Sequence, residues 1–144
     1  MSNNIPAAAQ ADLMEKEKLI VEHQQRVESL QNAVKTMATR QVSLKRDKRR
    51  AEITIGELSK LKTGHPVYRG IGRAFMRIPA DKLIAINDET IKQSDAEDQR
   101  ISNEKQRTSE AMSKEEGELH RAIEDYRLAV HLIQVASGQQ QQRR

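Results

Sequence analysis

The sequence predicts a mainly α fold, a long antiparallel two-helix coiled coil with one β-hairpin at its centre, and three observations predict it. Apolar residues recur in alternating steps of three and four along two separate stretches, and the stretches are about equally long. The short insert between them holds the only Phe of the chain and the pair Gly70-Ile71-Gly72. Composition agrees: of 144 residues, 36% are hydrophobic, 2% aromatic and 32% charged, with a mean hydropathy of -0.80. So few aromatic residues do not line the enclosed apolar pocket of an ordinary enzyme, and three Pro with six Gly do not build an all-β sandwich. The apolar residues are nonetheless too regularly spaced for a disordered chain.

The first helix is expected over about residues 7–63. Its seam passes through Leu13, Ile20, Val27, Leu30, Val34, Met37, Leu44, Ala51, Ile55 and Leu58. Pro6 suits a helix start, and Gly64 followed by Pro66 supplies a stop.

The insert reads as a β-hairpin over about residues 67–78, with Val67 to Ile71 as one strand, Ala74 to Ile78 as the other, and the turn at Gly72-Arg73. A lone two-stranded hairpin is marginal in water, and an exposed apolar edge invites another strand. Pairing with strands of other chains is therefore expected.

The second helix is expected over about residues 80–136, with a seam through Ile84, Ile91, Ile101, Met112, Leu119, Ala122, Tyr126, Ala129 and Ile133, until Ser137-Gly138 breaks it. So short an insert lets this helix fold straight back on the first, with partner numbers summing to about 142. Leu13 then faces Ala129, Ile20 faces Ala122, Leu30 faces Met112 and Met37 faces Lys105. Lys48, Asp98, Lys105, Thr108 and Glu115 interrupt the seam, either as long side chains snorkelling at its edge or as marks of a loose arm, which Gly56 and Gly117 would also favour. The Gln-rich tail, about residues 138–144, is expected to be disordered.

Net charge is +4 and the sequence pI is about 9.5, but the basic and acidic residues are interleaved. The run Lys45-Arg46-Asp47-Lys48-Arg49-Arg50 lacks interleaved aromatic residues, and Glu52 and Glu57 follow it, which argues against nucleic acid as a partner. The register brings His23 toward His120, yet two imidazoles without a third ligand make no metal site. Gly70-Ile71-Gly72 lacks the third glycine and the Lys-Ser/Thr pair of nucleotide-binding turns. Catalytic, cofactor-binding and metal residues are accordingly expected to be none, and the chain is not expected to be an enzyme. With no Cys, no long apolar stretch and no leader-like start, a cytoplasmic location without membrane contact is expected, the nucleus also being open.

Apolar residues outside the seam cluster toward the two ends of the chain: Met14, Leu19 and Val21 on the first helix, and Leu128, Val130, Leu132 and Val135 on the second. Two helices cannot bury all of these. Flexible aliphatic and Met side chains in water suit promiscuous capture of unfolded chains, so Met14, Leu19, Val21, Leu128, Leu132 and Val135 are the candidate client-binding residues, a wider local seam or contact with a neighbouring arm being the alternative.

The order helix, Gly64-His65-Pro66, Tyr68-Arg69-Gly70-Ile71-Gly72-Arg73-Ala74-Phe75, helix of equal length resembles the β-class subunits of prefoldin, and the hairpin block is most similar to a eukaryotic member. The resemblance spans the whole layout, residues 1–144 as a single prefoldin-like domain, and departs from the pattern in longer ends. It implies a heterohexamer with two α-class and three further β-class subunits, whose hairpins form an intersubunit β-barrel. Val67, Tyr68, Ile71, Phe75, Met76 and Ile78 would carry the assembly contacts. It further implies an ATP-independent holdase that takes unfolded actin and tubulin and passes them to the cytosolic group II chaperonin. The alternative is a structural coiled-coil tether or scaffold, in which the hairpin is merely a loop.

Overall fold

The computed structural model describes residues 5–142 and contains four elements in the order α1 (Ala7–Ser59), β1 (Val67–Ile71), β2 (Ala74–Ile78) and α2 (Ala80–Gln142). Both helices begin immediately after a proline. The Pro6 carbonyl accepts from the amides of Ala9 at 2.9 Å and Gln10 at 3.1 Å, and the Pro79 carbonyl accepts from the Leu83 amide at 3.2 Å. A proline N–H would have no partner in a first turn, so its absence costs nothing there. Asp81 adds a carboxylate to the first turn of α2, where the helix dipole favours it.

The helix termini differ from the sequence expectation. Helix α1 stops at Ser59, not near residue 63: i to i+3 bonds from the amides of Lys60 and Leu61 to the carbonyls of Glu57 and Leu58 tighten its end. Gly64 instead serves a separate turn closed by the His65 amide on the Lys62 carbonyl at 3.1 Å, and its φ of 83° is the conformation that needs glycine. Helix α2 runs through Ser137 and Gly138 to Gln142, where disorder from residue 138 was expected. Gly138 does not take a positive φ, and the Ser137 hydroxyl donates to the Ile133 and Gln134 carbonyls, so neither residue diverts the chain. The glutamines that follow are good helix formers. Arg143 and Arg144 of the expected tail, like residues 1–4 at the start, lie outside the described residues.

The chain divides into two compact units, one comprising the terminal parts of both helices (residues 1–34 and 107–144) and the other residues 35–106 with the hairpin. In each, α1 and α2 run antiparallel, and half-buried residues follow the heptad steps. In the terminal unit Glu17 meets Tyr126, and in the hairpin unit Gln41 meets Ser102 and Lys48 meets Asp95. The residue numbers of each of these pairs sum to 143, one from the expected 142. The residues buried most deeply, Leu44 (4% exposed), Ala51 (3%), Ile78 (5%) and Ser94 (6%), all belong to the hairpin unit.

The hairpin pairs Val67 with Ile78, Tyr68 with Arg77, Arg69 with Met76, Gly70 with Phe75 and Ile71 with Ala74. Its two-residue turn has Gly72 at φ 59° and Arg73 at negative φ, the type II′ pattern whose twist matches that of paired strands. Strand alternation puts Val67, Arg69, Ile71, Ala74, Met76 and Ile78 on one face, and Tyr68, Gly70, Phe75 and Arg77 on the other.

Candidate functional site

Two sets of apolar side chains stand in water, one in each unit. On the hairpin, Phe75 is 79% exposed and Tyr68 58%, and their shared face carries only Gly70 and Arg77 besides. The Phe75 ring lies 3.7 Å from the position a Cβ on Gly70 would take, so the ring covers the glycine across the ladder. Ile71 and Met76, on the opposite face, are also exposed. Ile78 is buried within this chain and Val67 is half-buried. Of the six residues expected to carry assembly, the structure thus leaves Tyr68, Ile71, Phe75 and Met76 open to a partner and commits Ile78 to the chain's own packing. The two strands have one neighbour each, leaving both outer edges of the hairpin unpaired.

In the terminal unit, Met14, Leu19, Val21, Leu128, Leu132 and Val135 are all exposed, from 44% to 69%. They are exposed because they stand outside the heptad seam that faces the other helix. Val130, also off the seam, is half-buried. Sequence reasoning missed Val42, Ile53 and Leu61, which are exposed in the hairpin unit. The same off-seam rule would have found Val42, between the seam residues Met37 and Leu44, and Ile53, between Ala51 and Ile55.

Of the polar residues read as interruptions of the seam, Lys48, Asp98, Lys105 and Glu115 bond across it. In the hairpin unit the Gln41 amide donates to Asp98 at 3.1 Å and to the Ser102 hydroxyl at 2.9 Å, and Lys105 donates to the Gln41 carbonyl oxygen at 3.4 Å. Lys48 donates to Asp95 at 2.7 Å, and Arg40 grips both oxygens of Glu97 at 2.8 and 3.0 Å. Hydrogen bonding to Asp95 raises the Lys48 pKa, and the Arg40 guanidinium lowers that of Glu97. In the terminal unit the His23 ring nitrogen bonds Glu115, with Arg26 3.5 Å away, and the bond from His23 holds the Glu115 pKa below its ordinary value. The Tyr126 hydroxyl donates to Glu17 at 2.8 Å, which raises the tyrosine pKa. Among the described residues no buried side-chain polar atom lacks a partner.

His23 and His120 do not share a ligand. His23 engages Glu115 across the seam, while His120 lies 3.5 Å from Glu124 on its own helix. Among the described residues no group of three His, Asp or Glu side chains is placed to hold a metal ion, and no helix is long and apolar enough to cross a membrane. The hairpin unit has an open groove lined by Leu44, Ala51, Leu83, Ile86, Arg50 and Arg69, among others. Arg40 and Glu97, which also line it, form a close ion pair. Both units thus offer exposed aliphatic groups for contact, and the hairpin unit adds strand edges and two aromatic rings.

Comparison with known proteins accords with this geometry. A family model described as "Prefoldin subunit" matches residues 13–126, well over half of the chain. No curated protein matches the sequence. Among solved structures, the prefoldin beta subunit from Thermococcus strain KS-1 superposes with a TM-score of 0.61 at 17% identity, covering 84% of this chain and 96% of that one. The prefoldin beta2 subunit from the same strain gives 0.54 at 21% identity, covering 62% and 95%. At these identities the two likenesses establish the fold.

Proposed function

The chain belongs to the prefoldin subunit family, a family of chaperones rather than enzymes, and on that premise we propose that it acts as a single-domain β-class subunit of a heterohexameric, ATP-independent holdase. Within that class the hairpin block Tyr68-Arg69-Gly70-Ile71-Gly72-Arg73-Ala74-Phe75 favours the eukaryotic subunit 1 type. Its companions are two α-class and three further β-class subunits. Its clients are unfolded proteins such as actin and tubulin, passed on to the cytosolic chaperonin, and its location is the cytoplasm, with the nucleus also open.

The observation that carries the holdase reading is the exposure of Met14, Leu19, Val21, Leu128, Leu132 and Val135 in the terminal unit. Six flexible apolar side chains in water offer non-directional contact to any unfolded chain that presents apolar groups. Each weak contact gains from repetition over several arms of one assembly through effective concentration. Assembly is assigned to the hairpin, where Tyr68, Ile71, Phe75 and Met76 accompany two unpaired strand edges. Val67 and Ile78 fix the hairpin from its inner face.

The test is suppression of aggregation of chemically denatured actin by hexamers containing this chain, without nucleotide, followed by addition of chaperonin and ATP. Suppression followed by release of native actin is expected. Hexamers that leave actin aggregation unchanged at equimolar ratio overturn the holdase reading, and failure at the second stage alone overturns the transfer step. Native mass spectrometry of the protein purified from its source gives the number and masses of its companions.

A further inference from the structure

The segment that carries the hairpin is one-sided in charge. Between Glu57 and Asp81 the chain carries Lys60, Lys62, Arg69, Arg73 and Arg77 and no carboxylate. Lys60 is bridged to Glu57 at 3.1 Å, but among the described residues none of the three hairpin arginines has an ion-pair partner. Arg69 shares its groove with Asp47 and Glu97 without bonding either, and the Glu97 oxygens are already taken by Arg40.

The arginines are spread so that no docking onto the hairpin avoids them. Arg69 stands on the face of Ile71 and Met76, Arg77 on the face of Tyr68 and Phe75, and Arg73 in the turn. A strand that covers either set of apolar side chains also withdraws the neighbouring guanidinium from water, which is unfavourable unless a carboxylate meets it. A second copy of this hairpin brings three more guanidinium groups and no carboxylate. Antiparallel pairing of two β1 strands centred on Arg69 would even set that residue against its own copy, and like charges directly opposite each other destabilise a ladder. Guanidinium groups, with their planar fork of donors, are suited to carboxylates on an adjacent strand.

We propose that Arg69, Arg73 and Arg77 make the hairpin selective for a carboxylate-bearing strand of a different subunit and set it against pairing with a second copy of this chain. The proposal rests on the assignment of assembly to the hairpin and deepens it by naming the partner's chemistry. Apolar rings supply the drive to associate, and charge decides with whom.

The test uses the full-length chain reassembled with the companion subunits purified from its source, with hexamer yield read by native mass spectrometry. Replacing all three residues with Gln (R69Q/R73Q/R77Q) is expected to weaken incorporation about tenfold, since three cross-strand charge pairs are lost. The charge-reversed set (R69E/R73E/R77E) should be excluded and, mixed with the wild-type chain alone, should form a pair that the wild type does not form with itself. The variant Ile71→Asp/Phe75→Asp runs in parallel. If it is excluded while both arginine sets incorporate like the wild type, charge selection is overturned and the platform assignment stands. If all three variants incorporate normally, the platform assignment falls, and the selectivity with it. Circular dichroism checks folding; should the charge-reversed set prove unfolded, the wild type decides, since a hexamer yield that does not fall from low to high salt overturns the proposal.

Discussion

The two units of this chain use the same pair of helices for opposite ends. In the hairpin unit, Leu44, Ala51, Ile78 and Ser94 are buried, whereas no described residue of the terminal unit is. The hairpin unit exposes strand edges and two aromatic rings, which demand a partner of fixed direction and register. Both units expose aliphatic and Met side chains, whose contacts have no preferred direction, but in the terminal unit, among the described residues, these are the only large apolar groups in water. A seam with buried residues and one whose described residues are at most half-buried are thus written into one pair of helices, and under the proposed function that difference would separate assembly from capture.

The comparison breaks most visibly at the hairpin. Replacing Ile71 and Phe75 with Asp sets two charges where a partner strand must lie, and incorporation into the hexamer should be abolished with helix content unchanged. Size-exclusion chromatography of reassembled subunits reads the outcome, and a wild-type hexamer peak would remove both residues from the contact.

The core can be compared directly. Leu44→Ala, at 4% exposure, should cost about 2–4 kcal/mol in urea unfolding, while Leu30→Ala, at a half-buried seam position of the terminal unit, should cost about 1 kcal/mol. Equal losses would mean that the two seams are equally well packed.

Changing Leu128, Leu132 and Val135 to Ser should reduce client capture severalfold while leaving the hexamer intact. Each side chain buried in a client contributes about 1.5–3 kcal/mol, but the arms of the other subunits still hold, so the loss is partial. Undiminished suppression of aggregation at limiting hexamer would exclude these three residues from the client surface.

How far the sequence foretold this arrangement depended on whether one residue's signal was local. The hairpin was legible because Gly72 at a two-residue turn, flanked by alternating apolar strands, has few other solutions. The six exposed residues of the terminal unit were legible because heptad spacing alone places them off the seam. Ile78 was not, because its burial follows from which face of the hairpin packs inward, and alternation by itself does not choose the face. The helix ends were misplaced since Gly64 and Gly138 are each compatible with a stop, and hydrogen bonds around them decide otherwise. Lys48, Asp98, Lys105 and Glu115 looked like interruptions along either helix read alone; only pairing the helices turns them into cross-seam bonds.

The smallest expected effect lies in those bonds and distinguishes the units by pH. Each unit holds one carboxylate with a lowered pKa: Glu97 beneath Arg40 in the hairpin unit, and Glu115 beneath His23 in the terminal unit. A carboxyl whose pKa is lower folded than unfolded contributes stability above its ordinary value of 4.5, and that contribution is lost as pH falls through the lowered folded value. Glu97→Gln and Glu115→Gln should therefore each flatten the fall of thermal stability below pH 4.5, and each should do so only slightly, because both pairs remain in contact with water. The location of the change sharpens the comparison. Amide exchange should show Glu97→Gln loosening the hairpin unit, already held by Leu44 and Ala51, less than Glu115→Gln loosens the terminal unit, where none of the described residues is buried. Identical acid profiles for wild type and both variants would leave the two ion pairs without a part in stability, and equal loosening in the two units would mean that the terminal seam is no weaker than the one beside the hairpin.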